Sequence, residues 1–323
     1  MRVAQAIEFG GPEVLVPAEA PAPEAGPGQV VLDVAAIDTI FVETQIRSGQ
    51  WEDYFPVRPP YVPGGGVAGT VRAVGAGVDE AWLGRRVAAS TGFTGGYAEQ
   101  VAAAAEALAP VPDGVSLTEA AAVIHDGVTA TAVIDATGIK PGERVLITGA
   151  SGGMGTLLVQ LAKAEGAYVV GVARGERKTA LVRDFGADAV VDAASPDWPE
   201  RAREALGGTG ADVVLDGVGG DVGLAAFALT ADGGRFSAHG APTGDFAPVD
   251  PREAEHRAVR LLGIADLQLS AAAHAEMATR ALAALETGAL RPVIGATFPL
   301  ERASDAHVAI ESRQLVGKVV LTV

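Results

Sequence analysis

The segment Arg144-Val145-Leu146-Ile147-Thr148-Gly149-Ala150-Ser151-Gly152-Gly153-Met154-Gly155 decides the fold of this chain. Its first five residues read as a buried strand. Beyond the glycines, apolar residues at 154, 157, 158, 161 and 162 share one helical face, and Gly166 stands where a C-terminal cap belongs. A strand, a glycine turn and an amphipathic helix, in that order, are the context a dinucleotide-binding fingerprint needs. Gly152 would let backbone approach a pyrophosphate, and Gly155 would let the helix lie against the strand. The free N–H groups of the helix start would then face the phosphates. Ala150 replaces the first glycine of G-x-G-x-x-G. The same residues also satisfy G-x-S-x-G, the nucleophile elbow of a serine hydrolase. Ser151 would then be the nucleophile, with Asp212 or Asp216 and then His239 or His256 following in the right order. A glycine-rich turn without a ligand is the third reading.

The next strand separates these readings. It ends Val172-Ala173-Arg174-Gly175-Glu176-Arg177-Lys178, with Arg174 lying 19 residues beyond Gly155. A dinucleotide domain places its ribose-reading residue about there, and an acidic one would take the 2′-hydroxyl of NAD. The strand ends without one. Arg174, Arg177 and Lys178 suit a 2′-phosphate instead, and hence NADPH. Cations at a helix start oppose its dipole, so in a chain of net charge −16 they call for such a partner.

Further strand-like runs follow at Ala189–Asp192, Asp212–Asp216 and Gly234–Ala238, each spaced to admit a crossover helix. That is the pattern of a parallel α/β sheet. The run Leu261-Leu262-Gly263-Ile264-Ala265 predicts a sixth, edge strand. Before residue 120 the chain reads as short strands between glycine and proline breaks: Val3–Phe9, Val14–Val16, Gln29–Ala35, Val67–Val74, Arg86–Ala89 and Tyr97–Val101. After about residue 270 come a helix, Ala271–Glu286, and two strand-like runs, Val293–Phe298 and Lys318–Val323. The expected division is 1–122 with 270–323 as a β-rich domain, and 123–269 as the parallel-sheet domain.

The 323 residues are 49% hydrophobic and 20% charged, as in a folded globular protein. Cysteine is absent, which excludes disulfides and thiolate chemistry. The acidic charge and 5% aromatic content argue against nucleic acid as a partner. No run of about 18 apolar residues predicts a membrane span, and Met1–Phe9 lacks the apolar core of a signal peptide. The cytoplasm is the expected location.

Several motifs occur in order along the chain: Phe9-Gly10-Gly11-Pro12-Glu13-Val14-Leu15, Ile46-Arg47-Ser48-Gly49, Pro63-Gly64, Ala68-Gly69, Gly95-Gly96-Tyr97-Ala98-Glu99, Pro112-Asp113-Gly114-Val115-Ser116, Pro141-Gly142-Glu143, the glycine turn, Phe185-Gly186-Ala187-Asp188, Leu215-Asp216-Gly217-Val218-Gly219-Gly220 and Gly317-Lys318-Val319-Val320-Leu321. Together they resemble the medium-chain dehydrogenase/reductase superfamily, in its zinc-free quinone oxidoreductase (zeta-crystallin-like) branch. The resemblance implies a GroES-like catalytic domain built from both chain ends, with a Rossmann domain inserted, and a homodimer. By matched position, NADPH would be touched by Thr129, Ser151, Gly152, Gly153, Met154, Lys178 and Lys318, and by backbone around Gly219 and Gly240.

The zinc-dependent relatives use Cys and His ligands. Here Cys is absent and the five histidines, at 125, 239, 256, 274 and 307, offer no helical ligand pair, so no metal is expected. Without a Lewis acid, hydride addition to a quinone or another α,β-unsaturated carbonyl is the expected reaction. A pathway-specific enoyl reductase, or a protein that holds NADPH without turnover, are the alternatives. On the substrate side the family's Asn-Pro-x-Asp is replaced by Ile40-Phe41-Val42-Glu43. Ile40, Glu43, Trp51 and Tyr54 are expected to line the pocket, whose apolar wall favours a hydrophobic carbonyl compound. Gly66 stands where an acidic residue is frequent. His125 is read either as a catalytic group near the nicotinamide or as a partly buried, hydrogen-bonded histidine.

Overall fold

Alternating and near-continuous apolar runs build three strands within the first forty residues, β1 (Arg2–Ala6), β2 (Leu15–Glu19) and β3 (Gln29–Thr39). Helix α1 (Phe41–Arg47) leaves the end of β3 directly. Strands β4 (Gly66–Val74), β5 (Arg86–Ser90), β6 (Gln100–Ala104) and β7 (Leu108–Pro110) follow, then helices α2 (Leu117–Val123) and α3 (Asp126–Thr137). A computed structural model describes residues 1–267 and 269–323. The chain divides into two units, Met1–Val128 with Leu269–Val323, and Thr129–Gln268. Residues 123–128, expected with the second domain, therefore belong to the first.

The second unit alternates strand and helix: β8 (Arg144–Thr148), α4 (Gly153–Ala164), β9 (Tyr168–Ala173), α5 (Glu176–Asp184), β10 (Ala189–Asp192), α6 (Trp198–Ala205), β11 (Ala211–Asp216), α7 (Gly220–Phe227), β12 (Thr230–Ala238), α8 (Pro251–His256) and β13 (Arg260–Gly263). All strand pairs are parallel, in the order β10-β9-β8-β11-β12-β13. Counted from β8, this is the 3-2-1-4-5-6 order of a doubly wound dinucleotide-binding sheet, and β8/β11 is its topological switch point. Strand β13 sits at an edge, and its chain turns into a 3-10 helix at Ile264–Leu267 rather than extending to Ala265.

The chain then returns to the first unit with α9 (Ala271–Glu286), β14 (Ile294–Pro299), α10 (Ala303–Glu311) and β15 (Lys318–Thr322). The long strand β3 organises this unit. Its first half pairs with β6, its second half with β15, and β4 runs along its other edge. Val30, Leu32, Ile37, Val67, Tyr97 and Leu321 lie in the resulting core. The expected sixth strand at Tyr97–Val101 begins only at Gln100, because Ala98 makes an isolated bridge to Val3 and Tyr97 and Ala98 spend their N–H groups on Pro63 and Gly96 instead.

In the second unit Phe227 and Phe236 meet edge to face, ring centroids 5.5 Å apart, in the core beside Leu146, Val170 and Val214. Both are almost fully buried. Phe236→Ala is expected to destabilise the fold by about 3–5 kcal/mol through lost burial and the cavity left behind. A lowered denaturant midpoint in chemical unfolding measures it.

Candidate active site

The glycine turn is built as its spacing requires. Gly149 leaves β8 with φ +62°, and Gly152 is the extended N-cap of α4. A Cβ on Gly155 would lie 2.2 Å from the Gly149 carbonyl oxygen and 2.8 Å from Ala150 Cα, so only glycine lets helix and turn meet there. A Cβ on Gly152 would meet nothing closer than 3.3 Å. The exposed Gly152 and half-buried Gly153 and Met154 front this open side. No side chain caps α4 and no acidic residue stands in its first turn. Its leading N–H groups thus present partial positive charge to an anion.

At the end of β9, Arg174 and Arg177 are exposed and Lys178 is half-buried. Gly175 caps α5 with φ +85°. The nearby carboxylate, Asp192, accepts from Gly175 N and Ala194 N, both at 2.8 Å, and those backbone donors hold its pKa low. Across the switch point, buried Asp216 accepts from Thr148 Oγ1 at 2.6 Å and from the N–H groups of Val218 and Gly219. Burial nonetheless raises its pKa. Gly219 and Gly240 stand where backbones touch: a Cβ on Gly219 would be 3.2 Å from Gly240 O, and one on Gly240 would be 2.5 Å from Gly217 O. A Cβ on Gly149 would meet Val218 at 3.2 Å. The carboxyl ends of β8, β11 and β12 therefore bring together the glycines expected at a cofactor. Thr129 is half-buried on α3.

The hydrolase reading fails here. Ser151 is buried, Asp216 is committed to Thr148 and backbone, and His239 Nδ1 lies by Ser237 Oγ at 3.4 Å. Asp212 binds Arg144 N at the opposite end of its strand. His256 ends α8. Ser151, these two acids and these two histidines therefore form no triad.

In the first unit, Glu43 takes a different place from the one expected. It is 2% exposed and lines no open wall. Its carboxylate accepts from Ile40 N (3.1 Å), Gly65 N (3.1 Å) and Tyr97 Oη (2.8 Å). Tyr97 Oη also lies 3.0 Å from His307 Nε2, whose Nδ1 faces Arg47 Nη1 at 3.1 Å. A guanidinium can only donate, so His307 Nδ1 accepts and Nε2 carries the proton. The chain is thus directed from Arg47 through His307 and Tyr97 to Glu43. Arg47 is anchored outward by Glu311 at 2.6 Å. Burial lifts Glu43 to about 7, and burial together with Arg47 pushes His307 down to about 3.

His125 follows α2, which is fixed by a capping box between Ser116 and Glu119. It is half-buried, with Nδ1 3.4 Å from Asp38 Oδ2. Asp38 is 1% exposed and pairs at 2.7 Å with Lys318 Nζ, which also reaches Asp126 at 3.1 Å. Lys318, expected at the cofactor, is therefore buried, with its ammonium held between two carboxylates. Burial opposes the charge on both Lys318 and Asp38. The attraction between them wins, keeping the lysine pKa high and that of Asp38 low. Asp126, next to them, is raised by burial. Phe93 stacks near His125 with centroids 6.2 Å apart, and Phe55 meets Phe93 at 4.6 Å. Of the expected pocket residues, Trp51 and Tyr54 pack edge to face at 5.7 Å and Tyr54 is largely exposed. Ile40 is half-buried at the N-cap of α1. Among the described residues no three His, Asp or Glu side chains are grouped as a metal site would require.

Residues 26–113 match a family model described as the alcohol dehydrogenase GroES-like domain, and residues 185–321 one described as zinc-binding dehydrogenase. The chain is 32% identical to human quinone oxidoreductase over 99% of its own length and 97% of the relative's. It is also 32% identical to 2-haloacrylate reductase from Burkholderia sp, over 97% and 96%. The solved structure of mycobacterial Rv1454c complexed with NADPH superposes over the whole of both chains, with a TM-score of 0.91 and 34% identity. This chain belongs to the medium-chain dehydrogenase/reductase superfamily. Within it, the chain falls in the zinc-free quinone oxidoreductase branch.

Several residues of this reductase were missed by the sequence reading: Asp38, Phe55, Phe93, Tyr97 and His307. Tyr97 lies 54 residues from Glu43 and 210 from His307, so no local spacing announces their contact. The arginine of Ile46-Arg47-Ser48-Gly49 was legible as a motif, and its burial at 2% is what gives it a partner to serve.

His307 has its pKa depressed by folding. Its contribution to stability is therefore fully present above the unfolded value near 6.5 and is lost as the pH falls toward 3. His307→Gln is expected to be less stable at pH 7 by about 1–3 kcal/mol, because Arg47 or Tyr97 loses its partner. It should show a shallower loss of stability than the parent between pH 6.5 and 4. Urea titrations across that range check both signs.

Proposed function

We propose that this chain reduces quinones or other α,β-unsaturated carbonyl compounds with NADPH. The observation that carries the reading is the open glycine turn at the head of α4, flanked at the end of β9 by exposed Arg174 and Arg177, with the nearby Asp192 committed to backbone amides. Gly152, Gly153 and Met154 would face the pyrophosphate, Gly155 keeps helix and turn in contact, and Arg174, Arg177 and Lys178 would hold the 2′-phosphate. NADPH supplies a hydride from its nicotinamide. Relatives named for quinones and for a haloacrylate both act, by name, on an activated double bond, which supports a conjugated acceptor here. With no cysteine in the chain and no three-ligand cluster among the described residues, polarising the carbonyl falls to hydrogen-bond donors. The half-buried His125, beside Phe93 and Phe55, is the donor best placed next to apolar rings that suit such a substrate. Ile40 adds an apolar surface rather than an amide.

The chain is also proposed to form a homodimer through the free edge of β13. Leu261 and Ile264 are exposed there, 38% and 39%, and an unpaired apolar edge invites a second copy. Among the described residues no single helix is long and apolar enough to cross a membrane.

Purified protein should oxidise NADPH with naphthoquinone or an enone, and bind NADPH more tightly than NADH. Each charge-assisted bond to the 2′-phosphate is worth about 1.5–3 kcal/mol. Replacing Arg174, Arg177 and Lys178 together by Ala should therefore remove most of the preference, read as the ratio of the two Kd values. Equal affinity of the parent for both cofactors contradicts the phosphate assignment, and tight NADPH binding without turnover of any acceptor contradicts the enzyme. Light scattering should report a mass near twice 32.5 kDa, and a monomer mass at micromolar concentration counts against the dimer.

A further inference from the structure

Resting on the reduction of a conjugated carbonyl argued above, we infer that Asp38 is a positioning residue that holds His125 as the proton donor, its Nδ1 turned to the buried carboxylate and its Nε2 left for substrate. Asp38 is the penultimate residue of the long strand β3, and its carboxylate stands between Lys318 Nζ at 2.7 Å and His125 Nδ1 at 3.4 Å. Lys318 fixes one oxygen, so the other is aimed at the imidazole. Room for that approach is made by two glycines. A Cβ on Gly66 would stand 2.7 Å from His125 Nδ1 and 3.1 Å from Asp38 Cβ. One on Gly65 would stand 3.1 Å from His125 Cε1. Any side chain at 66 would thus displace the imidazole from its carboxylate.

The orientation also has support from behind. Glu43 accepts from Gly65 N and holds the loop that floors the imidazole. Phe93 lies near-parallel to the imidazole on one side, and His274 meets it edge-on with centroids 6.3 Å apart. Burial and the neighbouring His125 push His274 down to about 4, so it is neutral at working pH and does not compete for the proton. The charged and titratable groups facing His125 are therefore Asp38 on β3, Glu43 on α1, Asp126 at the start of α3, Lys318 on β15 and His274 on α9. A carboxylate facing Nδ1 keeps a proton on that nitrogen, and the doubly protonated ring is the state that can give up a proton from Nε2.

The stoichiometry closes with this one proton. Reduction of C=C–C=O takes up a hydride, supplied by NADPH, and a proton. As the hydride reaches the remote carbon, the π pair of C=C shifts and negative charge collects on the carbonyl oxygen. The N–H bond at Nε2 breaks and its proton passes to the substrate. The ring is left neutral, keeping its Nδ1 proton toward Asp38, and takes a new proton from water.

The test compares the parent with Asp38→Asn and His125→Gln, using 1,4-naphthoquinone and methyl vinyl ketone as acceptors. Three quantities are read: NADPH Kd by fluorescence, kcat against pH, and the titration of the His125 imidazole by NMR, assigned by its absence in His125→Gln. In Asp38→Asn the titration of the imidazole should move, and the alkaline limb of kcat should move with it. In His125→Gln that limb should vanish and kcat fall about 100-fold, with NADPH Kd within about two-fold of the parent in both variants. A His125 titration unmoved by Asp38→Asn, or a limb retained in His125→Gln, overturns the inference. Should Asp38→Asn fail to fold, His125→Gln decides through the limb alone, its side chain being at a half-buried position that tolerates an amide. Absence of turnover in the parent overturns the reductase reading and the proton-donor role with it. The NMR shift then still decides whether Asp38 positions the ring.

Discussion

Lys318 carries its charge into the first unit at 4% exposure, and a buried ammonium without partners would cost several kcal/mol. Much else there follows from that constraint. Two carboxylates have to meet it, Asp38 from the end of β3 and Asp126 from the start of α3. Meeting both pins the last strand of the chain against β3 and fixes where α3 begins. Asp38, once held by the lysine, has a single oxygen left to direct, and His125 is what it faces. An interaction that looks like a simple ion pair thereby ties together strand register, helix start and the orientation of the candidate proton donor. Buried ion clusters are poor sources of net stability, so specificity of arrangement is the better account of this one.

The second unit solves an electrostatic problem of the opposite kind, in a chain that is acidic overall. It has to attract an anion, and does so largely with backbone. Gly155 removes the atom that would push α4 away from its turn, and the head of α4 is left without a capping side chain or a carboxylate in its first turn. Two carboxylates that stand close, Asp192 and Asp216, are turned onto backbone amides and a threonine, while Glu176 stays exposed in the first turn of α5. Their negative charge is spent on shaping loops, and the arginines after β9 are left facing solvent.

The second unit was the more legible from sequence. Its central strands β8, β9 and β11 are buried on both faces, so they read as continuous apolar runs, and β8 ends where its run ends. The first unit was harder. β1 stops at Ala6 although apolar residues continue to Phe9, and β6 starts later than its apolar run, because turn bonds at Tyr97 and Ala98 compete with the ladder. At the site, glycine positions and surface cations could be read from spacing, since their roles are local. The placement of Glu43 and Lys318 could not. Each is decided by partners contributed from distant strands, and a single sequence carries no mark of which carboxylate a buried lysine will find.

Strand β3 is completed by two strands far apart in the chain, β6 on its first half and β15 on its second. During synthesis this has an order built in. The second unit lies wholly between, so its six strands have all emerged before β15 is made. The first unit, although most of its strands precede the second unit, cannot close until residue 322 leaves the ribosome. Until then the second half of β3 has a bare edge, and Asp38 and Asp126 face each other across an empty place without their lysine. The order of the strands thus lets the second unit complete its sheet first, while the first unit waits for β15.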